Sequence, residues 1–336
     1  MIIYPLVTIP FFRHGPATPW GGSALHELYG KAIPDDRTGE SLEISALTGM
    51  ESVILNGEMA GCALSRAVAT WGAALTGLGD GSFPLLVKLL HARAILSVQV
   101  HPDDAYAAAR DGKRGKTEAW LILAAEPGSR VVYGIKTNAD DFAALAGRGE
   151  VERALRWIPV YPGDVLYMPH GCVHALGGGI VAYEIQQASD ATYRIWDWGR
   201  LDEDGLPRSL RIEDAKAAMR PELRLDKAPG ATAACPGGSQ TIYIADSNFE
   251  LRRLNVWGTM PLRGGRMLLL TALGDVTLRW PGGEENLAPG QSCVIPAALD
   301  GVSLNGRATV ACASLPDRDA VRAELGDGAK MVVGLR

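Results

Sequence analysis

The stretch Gly163-Asp164-Val165-Leu166-Tyr167-Met168-Pro169-His170-Gly171-Cys172-Val173-His174 constrains the fold of this chain more than any other. It sets Gly163, Pro169, Gly171 and His174 at the spacing G-x5-P-x-G-x-x-H. Glycine and proline at those positions shape a tight turn between two short apolar runs, and His174 emerges on the strand that leaves it. His170 lies in the turn itself, where side chains usually face solvent, so His174 is the expected ligand of the two. Cys172 shares the strand parity of His174 and reads as a small buried filler. The Gly177-Gly178-Gly179 run reads as a hairpin turn, because no helical pattern follows it as a phosphate loop would need.

A second stretch supplies partners for His174. In Ser97-Val98-Gln99-Val100-His101-Pro102 a β-strand places Gln99 and His101 on one face and the valines on the other, and Pro102 ends the strand. Gly115-Lys116-Thr117-Glu118-Ala119-Trp120 continues the pattern, with Lys116, Glu118 and Trp120 sharing a face. A carboxylate there can join imidazoles at a metal ion; the competing account is an exposed Lys116–Glu118 pair on a strand edge. Lys88, isolated in the apolar run Pro84–Leu90, either snorkels to solvent or lines the same cavity.

Composition narrows the class. The chain has 336 residues, enough for two domains, and a net charge of −5 with no Lys/Arg run, which argues against a nucleic-acid or membrane-surface partner. Forty glycines, many turn dipeptides and abundant Val, Ile and Leu indicate a mainly β protein. Five widely spaced cysteines with no C-x-x-C pair suit reduced thiols in a cytoplasmic setting. The amino-terminal residues lack a basic segment and carry Pro5 and Pro10, so they read as mature protein. No apolar run approaches the roughly 20 residues that span a bilayer.

Along the chain, alternation over Leu42-Glu43-Ile44-Ser45 reads as a half-buried strand. Apolar spacing predicts one helix over 62–78 and another over 138–156, with shorter helices at 105–110, capped by Asp103 or Asp104, and at 211–220. Residues 226–239, with Pro229, Gly230, Pro236, Gly237 and Gly238, read as a linker. Beyond it Gly290…Pro296 repeats the spacing Gly163…Pro169 without a following histidine, and no histidine occurs after 174. The expected fold is therefore mainly β: tandem cupin (jelly-roll) β-barrels with a few accessory helices, a metal-binding unit over 1–225 and a cupin-like unit without ligands over 240–336.

These stretches together resemble the type I phosphomannose isomerases, in their short bacterial form. The likeness rests on Trp20-Gly21-Gly22, Gly39–Ser45, Ser97–Pro102, Gly115–Glu118, Gly163–Ala175 and Tyr183–Gln187 through Thr192–Trp198. It implies that Gln99, His101, Glu118 and His174 hold one zinc ion and that Arg194 is the catalytic arginine. It further implies that Lys88 and Ser97 line a sugar-phosphate site, with Lys116 and Asp190 as candidates for proton transfer. His91 and His170 depart from the family pattern. The implied activity is interconversion of mannose 6-phosphate and fructose 6-phosphate through an enediolate, which requires an acid, a base and positive charge beside the oxyanion. Mn, Co or Fe would also suit the donor set. Two rival readings are an Fe(II)-dependent redox cupin and a non-catalytic sugar-binding or regulatory module.

Overall fold

Four antiparallel sheets lie in layers, because most of their strands are apolar on both faces and must be covered twice. The computed structural model describes residues 2–202 and 204–335. Its amino-terminal strands are β1 (Leu6–Ile9), β2 (Phe11–Arg13), β3 (Glu40–Ile44), β4 (Val53–Ile54), β5 (Leu85–Ala92), β6 (Val98–Val100) and β7 (Glu118–Ala125). They continue as β8 (Arg130–Ile135), β9 (Leu155–Pro159), β10 (Val165–Met168), β11 (His174–Ala175), β12 (Ile180–Gln187) and β13 (Tyr193–Trp196). A six-stranded sheet in the order β10-β7-β12-β5-β3-β2 faces a five-stranded sheet in the order β13-β6-β11-β8-β9. Between them pack Leu90, Trp120, Ile122, Tyr133, Leu166 and Leu176 at one end, leaving the other end open.

The carboxy-terminal barrel is built from β14 (Ala231–Cys235), β15 (Gly238–Ala245), β16 (Glu250–Val256), β17 (Thr259–Pro261) and β18 (Leu268–Ala272). To these it adds β19 (Val276–Trp280), β20 (Gly283–Leu287), β21 (Ser292–Ile295), β22 (Ser303–Gly306) and β23 (Ala308–Ser314). Its interior is filled by Leu254, Leu270, Leu278, Leu287, Ile295 and Leu304, which pack as one apolar cluster. The eight-stranded sheet, β14-β15-β16-β23-β18-β21-β1-β4, takes in the first strand of the chain: β1 lies between β21 and β4. Its outer face packs Leu251, Leu269, Val294 and Ala311 against Val87, Leu89, Tyr183 and Ile185 of the six-stranded sheet. One face of the amino-terminal barrel is thereby covered by the second.

The α-helices among the described residues are α1 (Ala24–Tyr29), α2 (Leu64–Trp71), α3 (Ala73–Thr76), α4 (Asp104–Asp111), α5 (Ala139–Gly147), α6 (Ile212–Ala218) and α7 (Arg318–Leu325). Phe142 and Leu145 of α5 and Ala215 of α6 cover the outside of the five-stranded sheet over Val98, Val100, Tyr193 and Ile195. No helix among the described residues is long and apolar enough to cross a membrane.

Several expectations change. The single helix expected over 62–78 is two, broken at Gly72, whose φ of 47° and ψ of −125° lie outside the helical region. The helical spacing of 138–156 ends earlier, and Leu155 opens β9 instead. The 226–239 linker contains strand β14, since its Pro and Gly residues flank a paired segment. Strand β3 is buried on both sides rather than half-buried: its register shifts between Leu42 and Ile44, and the second barrel closes over it. Glu43 is consequently enclosed, where it accepts hydrogen bonds from Lys31 Nζ at 2.6 Å and Ser41 Oγ at 2.6 Å.

Candidate metal centre

Register decides which side chains meet. Gln99 on β6 lies opposite His174 on β11 and opposite Arg194 on β13, so Arg194, Gln99 and His174 form a row across the five-stranded sheet. Across the six-stranded sheet a parallel row runs Trp120, Glu184, Lys88 and Leu42. The motif turn is held to the first row by its backbone: Gly171 N–H donates to His101 O at 2.8 Å. Gly163 and Gly171 sit at φ 94° and 82°, and a Cβ on Gly171 would meet Arg220 Cγ at 2.6 Å, so glycine is required there.

One donor atom from each of His101, Glu118 and His174 lies within 4.8 Å of the others, and all three residues are buried. His101 Nδ1 donates to Ala191 O and His174 Nδ1 to Cys172 O, both at 2.9 Å. A carbonyl only accepts, so each Nδ1 carries the proton and each Nε2 turns a lone pair toward Glu118. His101 Nε2 is 3.3 Å from Glu118 Oε2 and His174 Nε2 is 3.1 Å from Glu118 Oε1. Burial, reinforced by the Lys116 charge, pushes the His101 pKa down to about 3, which keeps the ring neutral. Burial works the other way on Glu118, but Lys116 and the two imidazoles outweigh it and hold the carboxyl well below its usual range.

These donors suit a divalent cation. Both Glu118 oxygens are buried and accept no well-formed hydrogen bond. A positive charge is already drawn among them, for Lys116 Nζ lies 2.5 Å from Glu118 Oε2 and 3.2 Å from His101 Nε2. Gln99 is next to the three, its amide 3.3 Å from His174 Nε2 with Ser97 Oγ donating to Oε1 at 3.3 Å. Two imidazoles, a carboxylate and a neighbouring amide form a set of the kind that binds zinc.

The donors open onto a cavity of about 310 Å³. Lys88, Ser97, Gln99, Lys116, Asp190 and Arg194, all singled out from sequence, line it. Lys88 faces the cavity and does not snorkel: it bridges Glu40 at 3.1 Å and Glu184 at 3.3 Å. Burial would lower its pKa, yet the two carboxylates outweigh burial and raise it. Glu40 is held at about 2, since Arg13 and Lys88 override a burial that alone would raise it. Lys116 and Glu118 are a buried pair, which removes the exposed-edge reading. Asp190 stands at the mouth, half exposed and paired with Lys113 at 2.8 Å. Cys172 is buried, as its parity indicated.

Sequence reasoning passed over Glu40, Glu184, Arg13 and Arg208, which also line the cavity. Glu184 carries a signal in hindsight, as it shares a strand face with Gln186 after the apolar opening of β12, and it accepts Trp120 Nε1 at 2.8 Å. Arg208 comes from an irregular connection and has no such periodic signal.

Residues 16–121 match the family model "Phosphomannose isomerase type I, catalytic domain". A mannose-6-phosphate isomerase of Streptococcus mutans is 35% identical over 258 residues, covering 76% of this chain and 80% of the relative. The crystal structure of mannose 6-phosphate isomerase from Bacillus subtilis superposes with a TM-score of 0.86 at 30% identity, covering 92% of this chain and 99% of that one. A zinc-bound mannose 6-phosphate isomerase shares the fold with a TM-score of 0.75 at 17% identity, covering 93% and 100%.

Proposed function

The chain belongs to the type I phosphomannose isomerase family, and from that premise we propose how its own residues interconvert mannose 6-phosphate and fructose 6-phosphate. It is an aldose-ketose isomerase with a mainly β, cupin-type fold. The observation that carries the reading is the buried His101–Glu118–His174 cluster, both imidazole Nε2 atoms turned inward, opening on a cavity lined by Arg194 and Lys116.

In this reading Gln99, His101, Glu118 and His174 hold one zinc ion. A bound divalent cation supplies Lewis acidity toward substrate oxygens without changing redox state. The remaining chemistry belongs to side chains. Moving a proton between C1 and C2 generates an enediolate, and Arg194 places its planar cation beside the developing oxyanion. Lys116 and Asp190 are the proton carriers: the first is buried beside the ligands, the second stands at the cavity mouth. Lys88 and Ser97 bind the sugar phosphate, with Lys88 fixed by its two glutamates. The unit over 1–225 carries the chemistry and that over 240–336 serves as its cover. Five unbridged cysteines support a cytoplasmic setting.

A coupled assay for fructose 6-phosphate formed from mannose 6-phosphate, before and after chelation, tests this reading. Activity lost on chelation and regained with zinc is the expected result. Full activity in a metal-stripped sample contradicts the ligand assignment.

A further inference from the structure

The positive charges of the cavity are not evenly matched. Lys88 lies between Glu40 and Glu184, Arg13 pairs with Glu40 at 2.9 Å, and Lys116 pairs with Glu118. The end formed by β13 and the connection that follows it is different. There Arg194, Arg200 and Arg208 gather around a single buried carboxylate, Asp197, leaving two positive charges in excess.

That arrangement is built rather than incidental. Asp197 Oδ1 accepts from Arg200 and Oδ2 from Arg208, each at 3.0 Å, so one carboxylate orients two guanidinium groups. Arg200 also donates to Ile95 O, which directs it away from the cavity, and it is not among the lining residues. Arg208 and Arg194 do line the cavity. Arg194 donates Nη1 to Ser209 O at 2.8 Å, while its buried Nε has no partner. Trp198, next to Asp197, is the non-glycine residue with positive φ (59°) among those described, and its Nε1 donates to Leu96 O at 2.7 Å. Backbone held in that region costs on the order of 1–3 kcal/mol and persists only where the surroundings enforce it. Here they enforce the turn that presents Asp197.

A phosphomonoester carries about −1.5 to −2 near neutral pH and offers three acceptor oxygens. A guanidinium from a group of three that share one carboxylate suits it better than ammonium groups matched charge for charge by carboxylates. We propose that Arg208, held in place by Asp197, grips the phosphate beside Arg194 and so selects phosphorylated over unphosphorylated sugars. This rests on the isomerase reading and adds to it a residue from the irregular 199–211 connection.

The test compares Arg208→Ala and Arg208→Lys with the unaltered enzyme, measuring kcat, KM, metal content and competitive inhibition by inorganic phosphate and by unphosphorylated mannose. Loss of a charge-assisted contact should raise KM for mannose 6-phosphate and weaken phosphate inhibition together by about 10–100-fold. Mannose inhibition, metal content and kcat should stay within a few-fold. Arg208→Lys keeps the charge without the fork and should recover part of the loss. Unchanged KM and phosphate inhibition, or equal losses against phosphate and mannose, would overturn the assignment. An unaltered enzyme without isomerase activity would instead sink the isomerase reading, and phosphate binding to both variants by calorimetry would still decide the role of Arg208.

Discussion

Arg194 and Gln99 are register partners across β13 and β6, so the cavity arginine and the amide beside the metal donors share one face of one sheet at adjacent strand positions. A charge at Arg194 is therefore placed by backbone hydrogen bonds rather than by a mobile loop. Arg194→Ala should leave metal content and the unfolding midpoint near those of the unaltered enzyme. Turnover should fall by about 10²–10³, the usual effect of removing one preorganised donor. Steady-state kinetics with metal analysis checks this; normal turnover removes Arg194 from the mechanism.

The two imidazoles present Nε2 because backbone carbonyls occupy Nδ1. His101→Ala and Glu118→Gln should each weaken zinc affinity by about 10²-fold or more, since changes even outside the direct ligands cost 10–100-fold. Competition with a chromogenic chelator reads this directly. A variant retaining a full equivalent of tightly held zinc excludes its residue from the centre.

Glu40 predicts a pH dependence. Its carboxyl is held at about 2 in the folded protein against 4.5 for the free group. The folded state favours the charged form, so the stabilisation is complete above the unfolded pKa and disappears as pH falls from about 5 toward 2. The shift corresponds to about 3 kcal/mol. Chemical denaturation at a series of pH values should show stability falling over that window, and Glu40→Gln should flatten the fall. An equally steep acid limb in Glu40→Gln would assign it to other carboxylates.

Lys31 and Glu43 form a nearly solvent-free ion pair 2.6 Å apart, and Lys31 Nζ also donates to Gly290 O of the second barrel at 2.7 Å. Lys31→Met strands a buried carboxylate and should destabilise by about 3–5 kcal/mol. The double change with Glu43→Gln should recover part of that loss. Denaturant titration of the single and double variants gives the coupling directly, and additive effects would show that the pair does not act as one unit.

How much of this was legible beforehand depended on whether a residue's neighbours were local. The G-x5-P-x-G-x-x-H turn was, because Gly163 and Gly171 need positive φ within a few residues of His174. Gln99, His101 and Glu118 followed from strand parity and family likeness, and the structure brings them together. Glu40 and Glu184 were missed because their partner Lys88 lies on the strand between theirs, and pairing between strands distant in sequence leaves no periodic trace. Strand β9 was hidden since Leu155 happened to continue a helical spacing. The buried state of β3 was illegible for the same reason as Lys31–Glu43: both depend on a barrel encoded some 250 residues away.

The placement of β1 has a temporal consequence. Leu6 pairs with Val294, so β1 meets this neighbour only after the intervening chain, 284 residues between Thr8 and Ser292, has been made. Loop closure over that separation is slow, and until it happens the apolar edge of β21 and the outer layer of the six-stranded sheet stay bare. The amino-terminal barrel thus waits for the sheet that packs on it, and until then the nascent chain carries its cavity unsupported from behind.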